Sequence, residues 1–363
     1  MIGHRIDRLV AAALRASGHR AILYVLSPYA TGPSHLEKAM PFTNTEATAY
    51  GLLAMYAMDM YRVQEDPLTP PTPDSLTPPP APGLVAAGWK ILAYITGKDS
   101  LLPKRPPKGP LPLVDQTVYY GYLAERASGE MVAVIRGTDG FVEWVEDAEF
   151  RPVPYTPQIA TPAGLGTMLV ERGFWTLYAS MQLINPEGAP LGALAPAVAA
   201  AAGAAGMVTV VGHSLGAALA TYLTLDLGRG GLGERVSACL LASPQTGNQA
   251  FVRFFDQTIK DYRLFNYILD IVPRVPLGPD YSPLPRRTVI QPATAEAKIR
   301  FDVGCNHHVI CYCAMLDYEG TMKATTPVPA GEEDSATCIL GPETGNPSLA
   351  KQLVSDFAGI VPV

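Results

Sequence analysis

The stretch "MVTVVGHSLGAALA" at residues 207–220 limits the fold of this chain more than any other segment. Its β-branched run predicts a buried strand, and the alanine-rich run that follows predicts a helix. Between them, Gly212 and Gly216 flank Ser214, which suits a turn so tight that larger side chains would collide with neighbouring backbone. A strand, a tight turn and a helix around one serine form a nucleophile elbow. The stretch therefore predicts Ser214 as a nucleophile and the two glycines as elbow residues.

The order of the other elements predicts the fold class. Segments typical of strands at 207–211, 236–243 and 262–268 alternate with helical segments at 215–227 and 249–258. Strands separated by helices pair in parallel, and the helices cover both faces of the sheet. We therefore predict an α/β fold with a mostly parallel central sheet. The remaining predicted elements are a helix over 47–62 opened by the capping signature of Thr43 and Glu46, a hairpin of strands 117–126 and 131–138, and helices over 173–184 and 196–205.

Length and composition fit a globular chain with a substantial core. The chain has 363 residues, of which 48% are hydrophobic and 17% are charged. No clean boundary divides it, so we predict a single domain over residues 1–363. The net charge is −6 and no basic patch stands out, which argues against nucleic acid as the main partner.

The N-terminal residues and the cysteines give evidence on the cellular location of the protein. Residues 1–20 are apolar but broken by arginines, which predicts an amphipathic surface helix rather than a secretory signal. Since no transmembrane segment is predicted either, we expect a cytoplasmic protein, although secretion without a signal would leave the same pattern. The five cysteines are sparse and odd in number, which argues against a disulfide framework. Cys305 and Cys338 are nevertheless able to pair in an oxidising compartment.

Three segments are predicted to lie outside the regular core. Residues 63–83 form a proline-rich surface excursion, because the eight prolines between 67 and 82 disfavour a helix or an inner strand. Residues 148–172 are rich in proline and in large apolar side chains, which fits either a lid over an acyl groove or an ordinary loop. Residues 320–363 form a C-terminal extension.

A serine nucleophile needs a base and an orienting acid, which in this fold class follow it in the order acid, then histidine. The acid candidate is Asp270, which comes directly after an apolar strand, with Asp280 as the alternate. His213 adjoins the nucleophile and is interpreted as structural, with its side chain pointing elsewhere on the turn. The base is then His307 or His308, and the residues alone do not separate the two.

The cysteines and histidines of 305–313 also raise the question of a metal site. A structural zinc site usually brings a second pair of ligands at short spacing, and the sequence has none, so no metal is predicted. An oxyanion hole needs two donors. The first is the backbone N–H of Leu215, directly after the nucleophile, and the second is Thr138, at the end of an upstream strand.

Several blocks of the sequence occur in the order typical of one family. They are "AVIRGTDGFVEWVED", "RGFWTLY", "VVGHSLGAALA", "ASPQTGNQAF" and "DIVPRVP". Together they resemble the class 3 lipases, the group of the fungal triacylglycerol lipases within the α/β-hydrolases, over residues 117–318. The resemblance implies an α/β-hydrolase core, with the lid, if present, between Asp147 and Gly173.

The resemblance also implies the roles of the site residues. Ser214 is the nucleophile, Asp270 the acid, and Thr138 and Leu215 form the oxyanion hole. Members often carry a tyrosine five residues after the base, and Tyr312 stands at that distance from His307. The resemblance therefore implies His307, not His308, as the base.

The implied function is a serine hydrolase, a lipase or esterase, that cleaves carboxylic esters of lipids without a cofactor. Its implied partner is a lipid or small ester, with room for transient contact with a membrane or lipid interface. The alternatives are a phospholipase A-type effector, an acyltransferase or a non-catalytic lipase-like binding protein.

Overall fold

The computed structural model describes seven stretches of the chain. They are residues 42–62, 73–99, 116–138, 150–159, 168–203, 206–329 and 332–342. Several predicted features lie wholly or partly outside the described residues. They are the N-terminal helix, residues 63–72 of the proline-rich excursion, the block with Trp144 and Asp147, residues 148–149 and 160–167 of the suggested lid, and residues 343–363 of the C-terminal extension. Within them, no helix is long and apolar enough to cross a membrane.

A nine-stranded mixed sheet forms the centre of the described structure. Its strands are β1 (Trp89–Asp99), β2 (Gln116–Arg126), β3 (Met131–Ile135), β6 (Gln182–Ile184), β7 (Pro190–Ala193), β8 (Val208–His213), β9 (Val236–Leu241), β10 (Asp261–Tyr267) and β11 (Arg287–Ile290). Their order in the sheet is β11-β10-β9-β8-β3-β2-β1-β6-β7. Five consecutive members, from β11 to β3, run parallel, and the remaining pairings are antiparallel. Two small sheets pair β4 (Pro152–Pro154) with β5 (Leu169–Glu171), and β12 (Ala297–Ile299) with β13 (Ile339–Pro342).

Helices cover both faces of this sheet, so the predicted α/β class is confirmed. The helices are α1 (Asn44–Arg62), α2 (Pro73–Leu76), α3 (Pro82–Ala86), α4 (Arg172–Ser180), α5 (Leu194–Ala202), α6 (Leu215–Leu227), α7 (Gln249–Thr258), α8 (Val309–Leu316), α9 (Tyr318–Ala324) and α10 (Glu333–Ala336). Along β8, Val210 packs on the face of α6 and α4, whereas its neighbour Val211 packs on the face of α1 and α8. This alternation is the period of two that a strand buried on both faces requires.

The parallel register brings the carboxyl ends of three strands to one edge of the sheet. Ile135 on β3 lies opposite Gly212 on β8, and Gly212 lies opposite Leu240 on β9. Residues that follow these strands therefore meet at the same edge, where open α/β sheets place their sites.

Helix α1 begins with the predicted capping box. The backbone N–H of Thr43 donates to Oε2 of Glu46 at 2.7 Å, and the N–H of Glu46 donates to Oγ1 of Thr43 at 3.2 Å. Each side chain thus satisfies a backbone donor that the first helical turn leaves open.

The prediction that the proline-rich stretch contains no helix is wrong for its second half. Helix α2 lies inside it, because Pro73 occupies the first helical turn, where proline has no hydrogen bond to lose. Ala81 and Leu84 are buried, and the hydroxyl of Tyr94 donates to the carbonyl of Pro78 at 2.9 Å. Residues 73–86 therefore pack against the sheet.

The helix predicted over 173–184 is also too long. It ends at Ser180, and residues 182–184 form β6 instead, paired with β1. Pairing with β1 on one side and with β7, the next strand along the chain, on the other overrides local helix preference here.

The described parts of residues 148–172 are anchored to the core. Strand β4 pairs with β5, and Tyr155 and Met168 are buried. Asp226 on α6 accepts hydrogen bonds from the hydroxyl of Tyr155, from the hydroxyl of Tyr178 at 2.7 Å and from the N–H of Gln158 at 2.8 Å. The suggested lid over 148–172 stays a prediction.

A disulfide joins the loop before α8 to the segment before β13. Cys305 and Cys338 are bonded and buried, at a sequence separation of 33 residues. Arg62 at the end of α1 forms an ion pair with Glu332, next to α10. The segment 332–342 is therefore held both to the loop that precedes α8 and to α1.

Asp59 on α1 gives a pH-dependent prediction for stability. Its side chain is 6% exposed, and neither carboxylate oxygen has a hydrogen-bond partner in the described structure. Burial, the charge of Glu332 and that of Glu333 raise its pKa to about 8 against the opposing effect of Arg62. A folded-state pKa above the unfolded value gives stability that is full at low pH and lost as pH rises toward 8.

We expect Asp59→Asn to remove this loss, because asparagine resembles the neutral acid and does not titrate. The wild type should lose about 1.4 kcal/mol per pH unit between roughly pH 4 and 8 relative to the variant. Urea unfolding at pH 5 and pH 7.5 should therefore show a gain from the substitution that is about 3 kcal/mol larger at the higher pH. The exposed Asp334→Asn is the control, and a gain of equal size at both pH values would contradict the prediction.

Candidate active site

The elbow at Ser214 has the strained backbone that the sequence predicts. Ser214 lies between the end of β8 and the start of α6, with φ 59° and ψ −129°. Positive φ is costly for a residue with a side chain, and such strain is typical of functional sites. A side chain at position 212 would overlap the carbonyl of Gly216, and one at 216 would overlap the carbonyls of Ile135 and Arg136. Glycine is therefore required at both elbow positions by the approach of backbone.

Three predicted residues meet in one continuous hydrogen-bond chain. Oγ of Ser214 lies 2.7 Å from Nε2 of His307, and Nδ1 of the same ring lies 2.8 Å from Oδ2 of Asp270. All three side chains are buried. Along the chain, 56 residues separate Ser214 from Asp270, and 37 separate Asp270 from His307. The structure therefore places the histidine between a hydroxyl and a carboxylate, the arrangement that activates a serine.

The carboxylate of Asp270 is fixed by two further donors. The hydroxyl of Tyr312 on α8 donates to Oδ2 at 2.8 Å, and the N–H of Val272 donates to Oδ1 at 2.9 Å. The Tyr312 hydroxyl in turn accepts from the N–H of Tyr267 at 2.8 Å. Because each contact constrains its neighbour, the acid has one orientation toward His307.

His213 has a structural role, as predicted, but its side chain lies against His307 rather than elsewhere on the turn. Its Nε2 lies 2.7 Å from the backbone carbonyl of His307, and the two rings lie 4.8 Å apart. Burial and the neighbouring His307 hold the pKa of His213 well below its usual range, so the ring is neutral and Nε2–H donates to the carbonyl. His213, the residue before the nucleophile, thus supports the backbone of His307.

The two predicted oxyanion donors lie beside Ser214. Leu215 is the first residue of α6, and the first N–H groups of a helix have no acceptor within the helix. On the other side, a Cβ built on Gly137 would lie 3.3 Å from Cβ of Ser214, so the backbone leading to Thr138 abuts the nucleophile. Oγ1 of Thr138 is buried and has no hydrogen-bond partner in the described structure.

The alternative site residues lie elsewhere. Asp280 is exposed, and His308 begins α8 by accepting backbone hydrogen bonds from Cys311 and Tyr312. Of the residues considered as metal ligands, Cys305 is bonded to Cys338. Among the described residues, no cluster of three or more His, Cys, Asp or Glu side chains is placed to hold a metal ion.

Elbow, sheet and hydrogen-bonded serine, histidine and aspartate together define an α/β-hydrolase. Residues 132–279 match the family described as Lipase (class 3), and this segment contains the elbow and Asp270. The match relates the chain to the class 3 lipases over this segment. His307 and Tyr312 lie beyond the matched segment, on the loop and helix that the disulfide holds.

Relatives match about two fifths of the chain. This chain is 29% identical over 182 residues to Phospholipase A1-II 3 of Oryza sativa subsp. indica, and the match covers 44% of this chain and 43% of the relative. It is 33% identical over 160 residues to Secreted mono- and diacylglycerol lipase A of Penicillium cyclopium, covering 43% and 47%. The matches thus span less than half the length of these relatives. A solved Rhizomucor miehei lipase propeptide complex is similar over 67% of both chains, at 21% identity and a TM-score of 0.47.

Proposed function

We propose that this chain is a serine hydrolase that cleaves carboxylic esters of lipids. The observation that carries the proposal is the unbroken chain from Ser214 through His307 to Asp270, with contacts of 2.7 and 2.8 Å. The family and the names of both relatives, a phospholipase A1 and a mono- and diacylglycerol lipase, support acyl esters of glycerol as the substrate class.

The geometry supports acylation of the serine. Ser214 Oγ attacks the ester carbonyl carbon while Nε2 of His307 takes the hydroxyl proton. Asp270 holds the proton on Nδ1 and stabilises the imidazolium that forms. The N–H of Leu215, with Thr138, stabilises the oxyanion of the tetrahedral intermediate. His307 then protonates the departing alcohol, which leaves an acyl ester on Ser214.

Deacylation uses the same groups in reverse roles. Water attacks the acyl carbon, His307 takes its proton, and the carboxylic acid leaves as Ser214 recovers its hydroxyl proton. An alcohol in place of water would transfer the acyl group instead, so access of water to the acyl-enzyme separates a hydrolase from an acyltransferase. Neither reaction requires a metal or a cofactor.

Phospholipase A1 activity is the second candidate. It is favoured by the 29% identity over 182 residues to Phospholipase A1-II 3. Its chemistry at Ser214 is the same, and the two candidates differ in the group attached to the glycerol.

The test combines a covalent label with a substrate series. A fluorophosphonate probe should modify one residue per chain, Ser214, as located by mass spectrometry after digestion. p-Nitrophenyl esters from acetate to palmitate then give the preferred acyl length. Phosphatidylcholine vesicles compared with diacylglycerol emulsions separate the two candidates. Absence of both labelling and hydrolysis, with detergent or emulsified lipid added, would contradict the proposal in favour of a non-catalytic binding protein.

Replacement of the acid tests the proposed roles. We expect Asp270→Asn to lower kcat about 10⁴-fold. The asparagine Nδ2 would face Nδ1 of His307 and donate to it, which leaves the proton on Nε2 and prevents this nitrogen from accepting one from Ser214. Steady-state hydrolysis of a short p-nitrophenyl ester measures the loss.

Tyr312→Phe is the graded control, because it removes one of the donors to Asp270 but leaves the carboxylate in place. One lost hydrogen bond to a charged group should lower kcat by about tenfold. Equal losses in both variants would show that packing around Tyr312, rather than the tautomer of His307, sets the rate.

The proposal extends to the domain organisation and the cellular location of the protein. We propose that a single domain carries the activity, because the sheet, α1 and α8 pack around one core. The Cys305–Cys338 bond supports an oxidising compartment over the cytoplasm that the sequence favours. Thiol titration of protein taken from its native compartment would decide between them.

A further inference from the structure

Arg136 is a charged side chain at the end of an otherwise apolar strand. It directly follows β3 and is 0% exposed. Its guanidinium carbon lies 3.5 Å from the centroid of the Tyr61 ring and 4.5 Å from that of the Tyr120 ring. A buried cation needs such partners to offset its desolvation, and arginine stacks well on aromatic faces.

Two hydrogen bonds fix the guanidinium to backbone. Nε donates to the carbonyl of Tyr119 at 2.9 Å, and Nη1 donates to the carbonyl of Gly137 at 2.8 Å. The first bond ties the side chain to β2. The second holds a carbonyl of the loop that leads to the proposed oxyanion donor.

The Gly137 carbonyl and the Thr138 N–H belong to the same peptide unit. In a planar trans peptide these two groups point in opposite directions. A donor held on the carbonyl therefore fixes the direction of the N–H, which points away from the guanidinium. The bond also polarises the peptide, which strengthens its N–H as a donor.

We propose that Arg136 is the positioning residue of the oxyanion hole: by holding the Gly137 carbonyl it aims the Thr138 N–H at the developing oxyanion. This inference rests on the proposed function, because it assigns a part to the same site. Tyr61 belongs to α1, outside the family segment 132–279. Helix α1 thus contributes to the site through the ring that packs on Arg136.

Arg136→Lys tests the proposal while keeping the charge. A lysine cannot make both hydrogen bonds or present a planar face to Tyr61. Loss of one oxyanion donor costs about 10²–10³-fold in kcat, so a misaimed donor should cost roughly ten- to a hundredfold. KM for a p-nitrophenyl ester should change little, since the oxyanion forms after substrate binds. Rates are expressed per active site, titrated with the fluorophosphonate.

A trifluoromethyl ketone separates aiming of the donor from general damage to the fold. Ser214 Oγ adds to its carbonyl carbon, His307 takes the proton, and the carbonyl oxygen becomes an anion in the hole. Its affinity should fall by the same factor as kcat, whereas a methyl ketone of the same chain length should bind as before. Arg263→Lys is the matched control, because Arg263 is also buried and stacks on an aromatic ring, Phe265, but belongs to β10.

A second pair of variants covers the case in which Arg136→Lys does not fold. Tyr61→Leu should lower kcat and trifluoromethyl ketone affinity together, and Tyr61→Phe should restore both. The proposal is overturned if Arg136→Lys, or Tyr61→Leu in its place, keeps wild-type kcat per site and ketone affinity. A wild type that neither hydrolyses esters nor binds the ketone would instead overturn the proposed function, and this inference with it.

Discussion

Alanine at position 214 is expected to lower kcat for ester hydrolysis by about 10⁶-fold. The loss is large because the hydroxyl forms the covalent bond, and no other group in the hydrogen-bond chain is placed to replace it. The remaining rate should reflect only binding and the oxyanion donors. The substitution removes one oxygen atom at a strained turn, so thermal unfolding should change little.

The measurement compares Ser214→Ala with Ser237→Ala on a short p-nitrophenyl ester. Ser237 lies at the opposite end of the sheet, where its hydroxyl is hydrogen-bonded to that of Thr209 at 3.0 Å, so its loss should leave kcat unchanged. Fluorophosphonate labelling should disappear in the first variant and persist in the second. Substantial hydrolysis by Ser214→Ala, after removal of contaminating esterases, would assign the nucleophile elsewhere.

His307→Ala should lower kcat by a similar factor of about 10⁶, because without the base Ser214 keeps its proton. The adjacent His308→Ala is a matched control, since the sequence alone does not separate these two histidines. His308 supports α8 through its backbone carbonyl, which alanine retains. We therefore expect His308→Ala to keep kcat within about threefold, less than the roughly 1 kcal/mol of a single hydrogen bond.

The losses in kcat of Ser214→Ala and His307→Ala should not add in a double variant. Residues that act as one unit are not additive, so the Ser214→Ala, His307→Ala double variant should be no slower than either single variant. An additive loss in the double variant, or equal losses in His307→Ala and His308→Ala, would contradict the chain of contacts in which one histidine serves one serine.

The sequence was sufficient for the parts of the fold that local patterns encode. The strand, glycines and alanines of 207–220 indicated the elbow, because only small residues fit where the backbone of the turn and helix approaches the neighbouring strand closely. The alternation of strands and helices beyond Ser214 indicated the parallel half of the sheet. Asp270 could be placed because it follows a strand whose carboxyl end had to lie at the same edge.

Other features depend on contacts between distant residues, which local patterns do not contain. Strand β1 is held mainly by its pairing with β2, and the short β6 by its pairing with β1 and β7, and neither strand was predicted. The contact of His213 with the His307 carbonyl crosses 94 residues. Arg136 did give a signal, a charge closing an apolar strand, but the ring that covers it comes from α1. The choice of His307 over His308 came from family resemblance, since two adjacent histidines look alike locally.

The disulfide has a consequence for how the protein responds to proteases. Residues 326–328 are exposed and lie inside the loop closed by Cys305 and Cys338. A single cut there would leave the two pieces covalently joined, with the strand pairing of β12 and β13 still spanning them. His307 would therefore remain on a loop tied to both pieces after nicking. Separation of the C-terminal piece from the loop of the base would therefore require reduction of the disulfide as well as cleavage.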